Sequence, residues 1–235
     1  MIREADIFGS SIVALGDFNP VIFSPDWLGR NQLIGQSDID NANNGSSLII
    51  SQQLTVFETG WFTLQVLNNQ LSLISKGALT LAFRDLAVGI FTLVSHTPIS
   101  AIGLNFSAHF RFSTEEYHKI GDVLAPKTIW NSLYPDKYSA GLANLTIKLQ
   151  DSERGKSLRS SNEKNISVQP SDKLKNGVLL SLNDHRKIVE ANDNNMTAAE
   201  QTATLIDAEW EKSRTDAIET FDAIISRTLS ITMQL

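Results

Sequence analysis

The sequence predicts an α+β protein: a tandem β-α-β-β-β-α repeat whose strands form a curved antiparallel sheet, covered on one face by long helices. Three observations carry that expectation. Apolar and polar residues alternate over 62–66 and again at Leu71 and Leu73, with Asn68-Asn69 between them as a two-residue turn, the signature of a hairpin. Two boxes, Ser113 with Glu116 and Thr197 with Glu200, each have the form that opens a helix by satisfying free backbone donors. The order strand, helix, strands, long helix also occurs twice. The opening strands Ile12-Val13-Ala14-Leu15-Gly16 and Ile99-Ser100-Ala101-Ile102-Gly103 are alike, and each is followed closely by an asparagine, Asn19 and Asn105. The halves fall at 1–98 and 99–235, fused into one continuous domain.

In chain order, residues 12–16 read as a short buried strand, closed by Asp17-Phe18-Asn19-Pro20. Ser24 is an N-cap, Pro25 suits the first helical position, where its missing N–H costs nothing, and Asp26 suits the positive helix end. Residues 38–46 are polar and read as a loop. Residues 48–57 read as one strand with Leu48, Ile50, Leu54 and Val56 on one face, and Gly60 breaks it before the hairpin. Leu79, Phe83, Leu86, Ile90 and Val94 fall at helical spacing, and Pro98 ends that unit.

The second half opens with a strand over 99–112, a helix from the first box to about residue 124, and a short helix over 127–134. A strand over 142–149 follows, then a polar hairpin loop over 151–164 and strands over 166–169 and 178–184. The second box opens the longest helix, whose stripe of Ile206, Trp210, Ala217, Phe221 and Ile224 is wide enough for a sheet and too irregular for a coiled-coil seam.

Composition removes several functions. With no cysteine in 235 residues, a disulfide scaffold, a zinc ribbon and a cysteine nucleophile are impossible. A 42% apolar fraction argues against disorder, and a formal charge of −6 disfavours a generally basic nucleic-acid binder. The charge is uneven. Residues 1–100 hold four basic and eight acidic groups, whereas residues 151–190 hold eight basic and six acidic. A solvated face is the favoured reading of the basic stretch, and phosphate contact the other. The apolar run at 79–94 is interrupted by Arg84 and Asp85 and too short to span a bilayer, and no signal peptide is visible, so a cytoplasmic protein is expected.

The candidate binding residues are Asp17, Asn19, Asn105, His109, Asp184 and His185. Asp17 and Asn19 follow the first strand, and Asn105 holds the matching place in the second half. Polar groups at strand ends can hold a ligand, although Asp and Asn also bond their own backbone in turns, the reading preferred here. Four histidines are present, His96, His109, His118 and His185, without metal-binding spacing. His109 or His185 could pair with Asp122 or Asp184 as an acid–base couple, set against surface or strand-end histidines as the favoured reading. No nucleophile elbow, P-loop or dinucleotide fingerprint occurs, so no catalytic residue, metal ligand or cofactor is assigned. The four tryptophans, Trp27, Trp61, Trp130 and Trp210, read as core residues.

The stretch His96-Thr97-Pro98-Ile99, followed by Ser100-Ala101-Ile102-Gly103-Leu104-Asn105-Phe106, resembles the proline-isoleucine pattern of a sporadically distributed family of uncharacterised bacterial proteins. Phe18-Asn19-Pro20 resembles that family's first strand end, and Leu104-Asn105 stands where the family carries Arg-Tyr. The likeness covers about the first 150 residues and implies a bacterial accessory gene product, with no catalytic residues to carry over. By order of elements, the fold resembles a TATA-binding-protein-like saddle or a helix-grip. The leading expectation is a non-enzymatic protein that binds a protein partner, either itself or a neighbouring gene's product, with no membrane role. Nucleic-acid binding on the open sheet face is the alternative, and a hydrolase using a His/Asp pair the second.

Overall fold

Strand β1 (Ile7–Gly16) turns Ile12 and Ala14 into the core and Ser11 and Val13 to the other side, the alternation that a half-covered sheet imposes. It is the first of nine strands in the computed structural model, which describes residues 3–77, 81–133, 139–150, 163–188 and 196–231. The others are β2 (Ile49–Ile50), β3 (Leu54–Glu58), β4 (Phe62–Leu67), β5 (Gln70–Ser75), β6 (Ile99–Arg111), β7 (Leu145–Gln150), β8 (Glu163–Pro170) and β9 (Gly177–Lys187). They form a single sheet in the order β2-β3-β4-β5-β1-β6-β9-β8-β7, with every described pairing antiparallel. The central strands β1 and β6 pair along most of β1, from Ile7 opposite His109 to Leu15 opposite Ala101.

Among the described residues six α-helices accompany the sheet: α1 (Pro25–Arg30), α2 (Gln36–Asn44), α3 (Leu81–Leu93), α4 (Thr114–Leu124), α5 (Lys127–Asn131) and α6 (Ala198–Ser230). Both boxes form as expected. The Ser113 and Thr197 side chains accept from the backbone of Glu116 and Glu200, whose carboxylates accept from the cap residues' own N–H groups. Ser24 caps α1 by accepting from the Trp27 N–H.

Helix α6 lies against β6 and β9 and beside α3. Trp210 is its anchor, 4.9 Å from the Phe106 ring of β6 and 5.6 Å from Phe83 of α3. The buried apolar residues of both halves, from Ile12 and Phe23 to Leu180 and Phe221, join in one cluster. Burying side chains of this size is the main stabilising contribution such a domain has.

Four local expectations are corrected. Residues 38–46 are mostly helix. Gly35 caps α2, Asp40 accepts from the Gln36 amide with its carboxylate and from Asn44 with its backbone carbonyl, and Ala42 is buried. The polar composition hid a short helix stabilised by its own side chains. Residues 48–57 are two strands, because the Ser51 side chain closes a turn onto Leu54. The core face is then Thr55 and Phe57, not Leu54 and Val56. The first half therefore carries five strands and three helices. Ile225, rather than Ile224, is the buried residue of the long stripe. Finally, Trp130 is 55% exposed, not core. The loop expected over 151–164 falls almost wholly outside the described residues.

Candidate binding surface

Among the described residues the helices leave one face of the sheet uncovered, and two rows of side chains cross it. Pairing places Ser11, Asn105, Asn183, Asn165 and Lys148 in one row, running from β1 through β6, β9 and β8 to β7. The next row is Gly9, Ser107, Ser181, Ser167 and Thr146 on the same five strands. These positions alternate with Ile12, Leu104, Phe106, Leu180 and Leu182, which face the helices, so the rows share the opposite face.

Within the rows the side chains bond to one another. Asn183 Nδ2 donates to Asn105 Oδ1. Asn105 Nδ2 points between the carbonyls of Ser11 and Gly103, each at 3.4 Å. The hydroxyls of Ser167 and Ser181 lie 2.6 Å apart. A depression of about 410 Å³ lies over this region, lined by Gly9, Ser11, Asn105, Ser107, Ser181 and Asn183, with Lys173 the one charged residue along it among those described. Gly103 makes room: a Cβ there would come within 2.9 Å of Asn183 Nδ2.

Toward β5 the same face also carries aliphatic side chains, set among Gln70 and Ser72. Leu15 and Ile74 are 39% and 42% exposed, with Val13 between them. Ion pairs sit at the flanks, with Lys76 on Glu58 at one side and Lys148 on Glu163 at the other.

The six residues expected from sequence fall in four places. Asn105 lies at the centre of the open face. His185 is also on the open face, one row away, opposite Gly103 and Glu163. His109 starts on that face but is 4% exposed, because the turn after β8 folds over it and sets Ser171 Oγ 2.8 Å from Nδ1. Burial lowers the His109 pKa, the Lys173 ammonium acts in the same direction, and Asp172 opposes them.

Asp184 faces the other way, beneath α6, and is 1% exposed. Arg186 grips it with Nε at 3.1 Å and Nη2 at 2.9 Å, and Ser213 donates to it at 2.7 Å. Burial alone would raise the Asp184 pKa. The hydrogen bonds from Arg186 and Ser213 and the Arg186 charge together outweigh burial and hold it below the usual carboxylate range. Arg186 also reaches Glu209 at 3.0 Å, so the group is a fully paired clamp between β9 and α6.

Adjacent in sequence, Asp184 and His185 thus lie on opposite sides of the sheet. His118 sits on α4, in a cleft whose wall also holds the Asp122–Lys127 ion pair at 2.8 Å. Asp17 and Asn19 lie at the far end of β1, beside His96. Among the described residues, no group of three or more acidic, histidine or cysteine side chains is placed to hold a metal ion.

Ser107, Ser181, Asn165 and Ser167 were not singled out from sequence. The signal was there, since polar residues alternate with Leu180 and Leu182 and with Ile166 and Val168. Only pairing shows that three strands bring their polar positions into the same rows. No protein-family model matches the chain, and no curated protein is similar to it. What the geometry of the described residues defines is a class: an α+β protein with a nine-stranded antiparallel sheet, one face covered by helices and the other open. No described helix is long and apolar enough to cross a membrane.

Proposed function

We propose that this chain is a non-enzymatic, cytoplasmic bacterial protein that acts by associating with a protein partner through the open face of its sheet. The observation that carries this reading is the chemistry of that face. Its centre offers hydroxyls and amides beside the aliphatic Leu15 and Ile74, and its ion pairs lie at the flanks. Interface centres are depleted of charge because burying an ion costs far more than burying a group that can both donate and accept. The partner is a second copy or the product of a neighbouring gene, in keeping with the accessory bacterial family that Pro98-Ile99 and the following strand resemble.

The fold reading belongs to the same proposal. The chain is two fused copies of one sheet-and-helix unit, meeting at β1 and β6, with the sheet curved into a saddle. The strand order supports it: β5 and β9 flank the central pair, and the remaining strands of each half follow outward.

Light scattering after size exclusion, together with capture by the tagged full chain, tests the association. Leu15→Asp with Ile74→Asp is expected to abolish it while leaving the thermal midpoint within a few degrees. A strict monomer that captures nothing, or association unchanged in the double variant, defeats the reading.

A second reading, nucleic acid on the same face, is favoured by where the charges lie. The depression carries Lys173 and no described acid, while Asp207, Glu209, Glu211 and Asp216 are on α6, on the covered side. Fluorescence anisotropy with labelled duplex DNA and single-stranded RNA decides it. Binding that weakens steeply with salt and with Lys173→Glu supports this reading, and salt-independent or absent binding removes it.

A further inference from the structure

The end of β1 and the end of α3 come together at a second place, away from the open face. A bulge between Leu15 and Gly16 ends the regular pairing with β6, and the Asp17 N–H donates to the Pro98 carbonyl at 3.0 Å. The approach is close enough that a Cβ on Gly16 would stand 2.3 Å from the Pro98 oxygen. Between these segments lies an open hollow of about 460 Å³, with Ile22, Trp27, Leu93, Val94, Asp17 and His96 among the residues that line it. Ile22 and Leu93 are 39% and 43% exposed, an apolar surface left open to solvent.

Three features of this cavity favour a cation. Asp17 is exposed, and among the described residues nothing ion-pairs or hydrogen-bonds with its carboxylate. Helix α3 ends here without a basic residue in its last turn, so the negative end of its dipole is uncompensated. The half-buried Trp27 ring, edge-on to Phe23 at 5.6 Å, adds an aromatic surface, whose face attracts cations. A lining that combines apolar side chains with an unpaired carboxylate suits an aliphatic stem ending in a charged amine.

We propose that this cavity binds a primary ammonium group carried on an aliphatic stem. Two sources share that chemistry, a free alkylamine and the lysine side chain of a protein, and the test separates them. The site is distinct from the open face and does not depend on the association proposed above.

The experiment is a two-dimensional amide NMR titration of the full-length protein with hexylammonium chloride, with sodium hexanoate at equal ionic strength, and with the peptide acetyl-Ala-Lys-Ala-amide. The ammonium probe is expected to shift the amides of Asn19, Ile22, Leu93 and His96, and hexanoate to leave them in place. Asp17→Asn is expected to weaken hexylammonium binding about five- to tenfold, the size of one charge-assisted contact near the surface. Leu93→Ser should weaken it too, while leaving the weaker binding of methylammonium unchanged. Both positions are exposed, so neither variant threatens folding. Tighter binding of the peptide identifies a lysine side chain as the source, and tighter binding of hexylammonium a free amine. Equal shifts with hexanoate, no shifts at these amides, or affinity unchanged in Asp17→Asn overturns the proposal.

Discussion

The Ser213 hydroxyl donates to the Asp184 carboxylate at 2.7 Å, and through this bond the middle of α6 is held to β9. Arg186 completes the clamp from the same strand and spans to Glu209 on the helix. Removing Asp184 leaves the Arg186 guanidinium partly buried with one acidic partner instead of two. Asp184→Ala is expected to cost about 3–5 kcal/mol in denaturant unfolding, and Ser213→Ala about 1–2 kcal/mol. A loss from Asp184→Ala no larger than that from Ser213→Ala would show that the clamp adds little.

The same clamp sets an acid limit. The Asp184 pKa is held below its unfolded value, so its contribution is fully present above the ordinary carboxylate range near about pH 4 and is lost as the pH falls through the lower folded value. Stability measured from pH 6 down toward pH 2 should therefore fall more steeply in the wild type than in Asp184→Asn. Parallel curves would assign the acid sensitivity elsewhere.

His109 gives a second dependence, nearer neutrality. Its Nδ1 lies 2.8 Å from the Ser171 hydroxyl, whose oxygen already accepts from the N–H groups of Lys173 and Leu174 at 3.1 and 3.0 Å, which leaves the hydroxyl proton for a neutral ring to accept. A protonated ring would have to donate into that filled oxygen. The folded pKa is lowered, so stability is full above the unfolded histidine value of about 6.5 and declines as the pH drops below it toward the folded value. His109→Gln should flatten the curve between pH 7 and pH 5, and a slope equal to the wild type's there would contradict this origin.

Two glycines should answer alanine differently. At Gly16 the new Cβ meets the Pro98 backbone oxygen at 2.3 Å, which cannot move without displacing the connection between α3 and β6. At Gly103 it meets the end of the Asn183 side chain, which can swing aside. Gly16→Ala is expected to cost more than about 2 kcal/mol and Gly103→Ala less than about 1, with Gly103→Ala still breaking the Asn105–Asn183 bond on the open face. Thermal midpoints of the two variants, side by side, check the order.

Trp210 holds the long helix to both β6 and α3. Trp210→Ala empties a fully buried indole site and should cost about 3–5 kcal/mol. Loss of the near-ultraviolet circular dichroism of the core, with the far-ultraviolet signal kept, would mark α6 as undocked rather than unfolded.

Much of the chain was legible because its signals are local. The hairpin at Asn68-Asn69, both boxes and the Ser24 cap each depend on residues within a few positions, and all form as read. The failures share a cause. Helix α2 looks like a loop because its stability rests on side chains bonding along a polar helix and on Ala42 and Ile39 reaching a core that sequence does not display. The phase of β3 differs from the expected one because the Ser51 turn separates it from β2, and a single-residue slip reverses which side faces inward.

By itself the sequence determined the class, the order of most elements, the turn and cap chemistry, and the absence of cysteine chemistry. It also marked Asp17, Asn19, Asn105, His109, Asp184 and His185 as polar residues on or beside strands. Only the tertiary structure decided what each of them does. Strand alternation sends Asp184 beneath α6 and its neighbour His185 to the open face. A turn 62 residues further along the chain buries His109. Pairing across β6, β9 and β8 brings Asn105, Asn183 and Asn165 into one row. A sequence encodes the period of a strand, but which strand lies beside it, and what covers each face, is settled by the burial of the whole core at once.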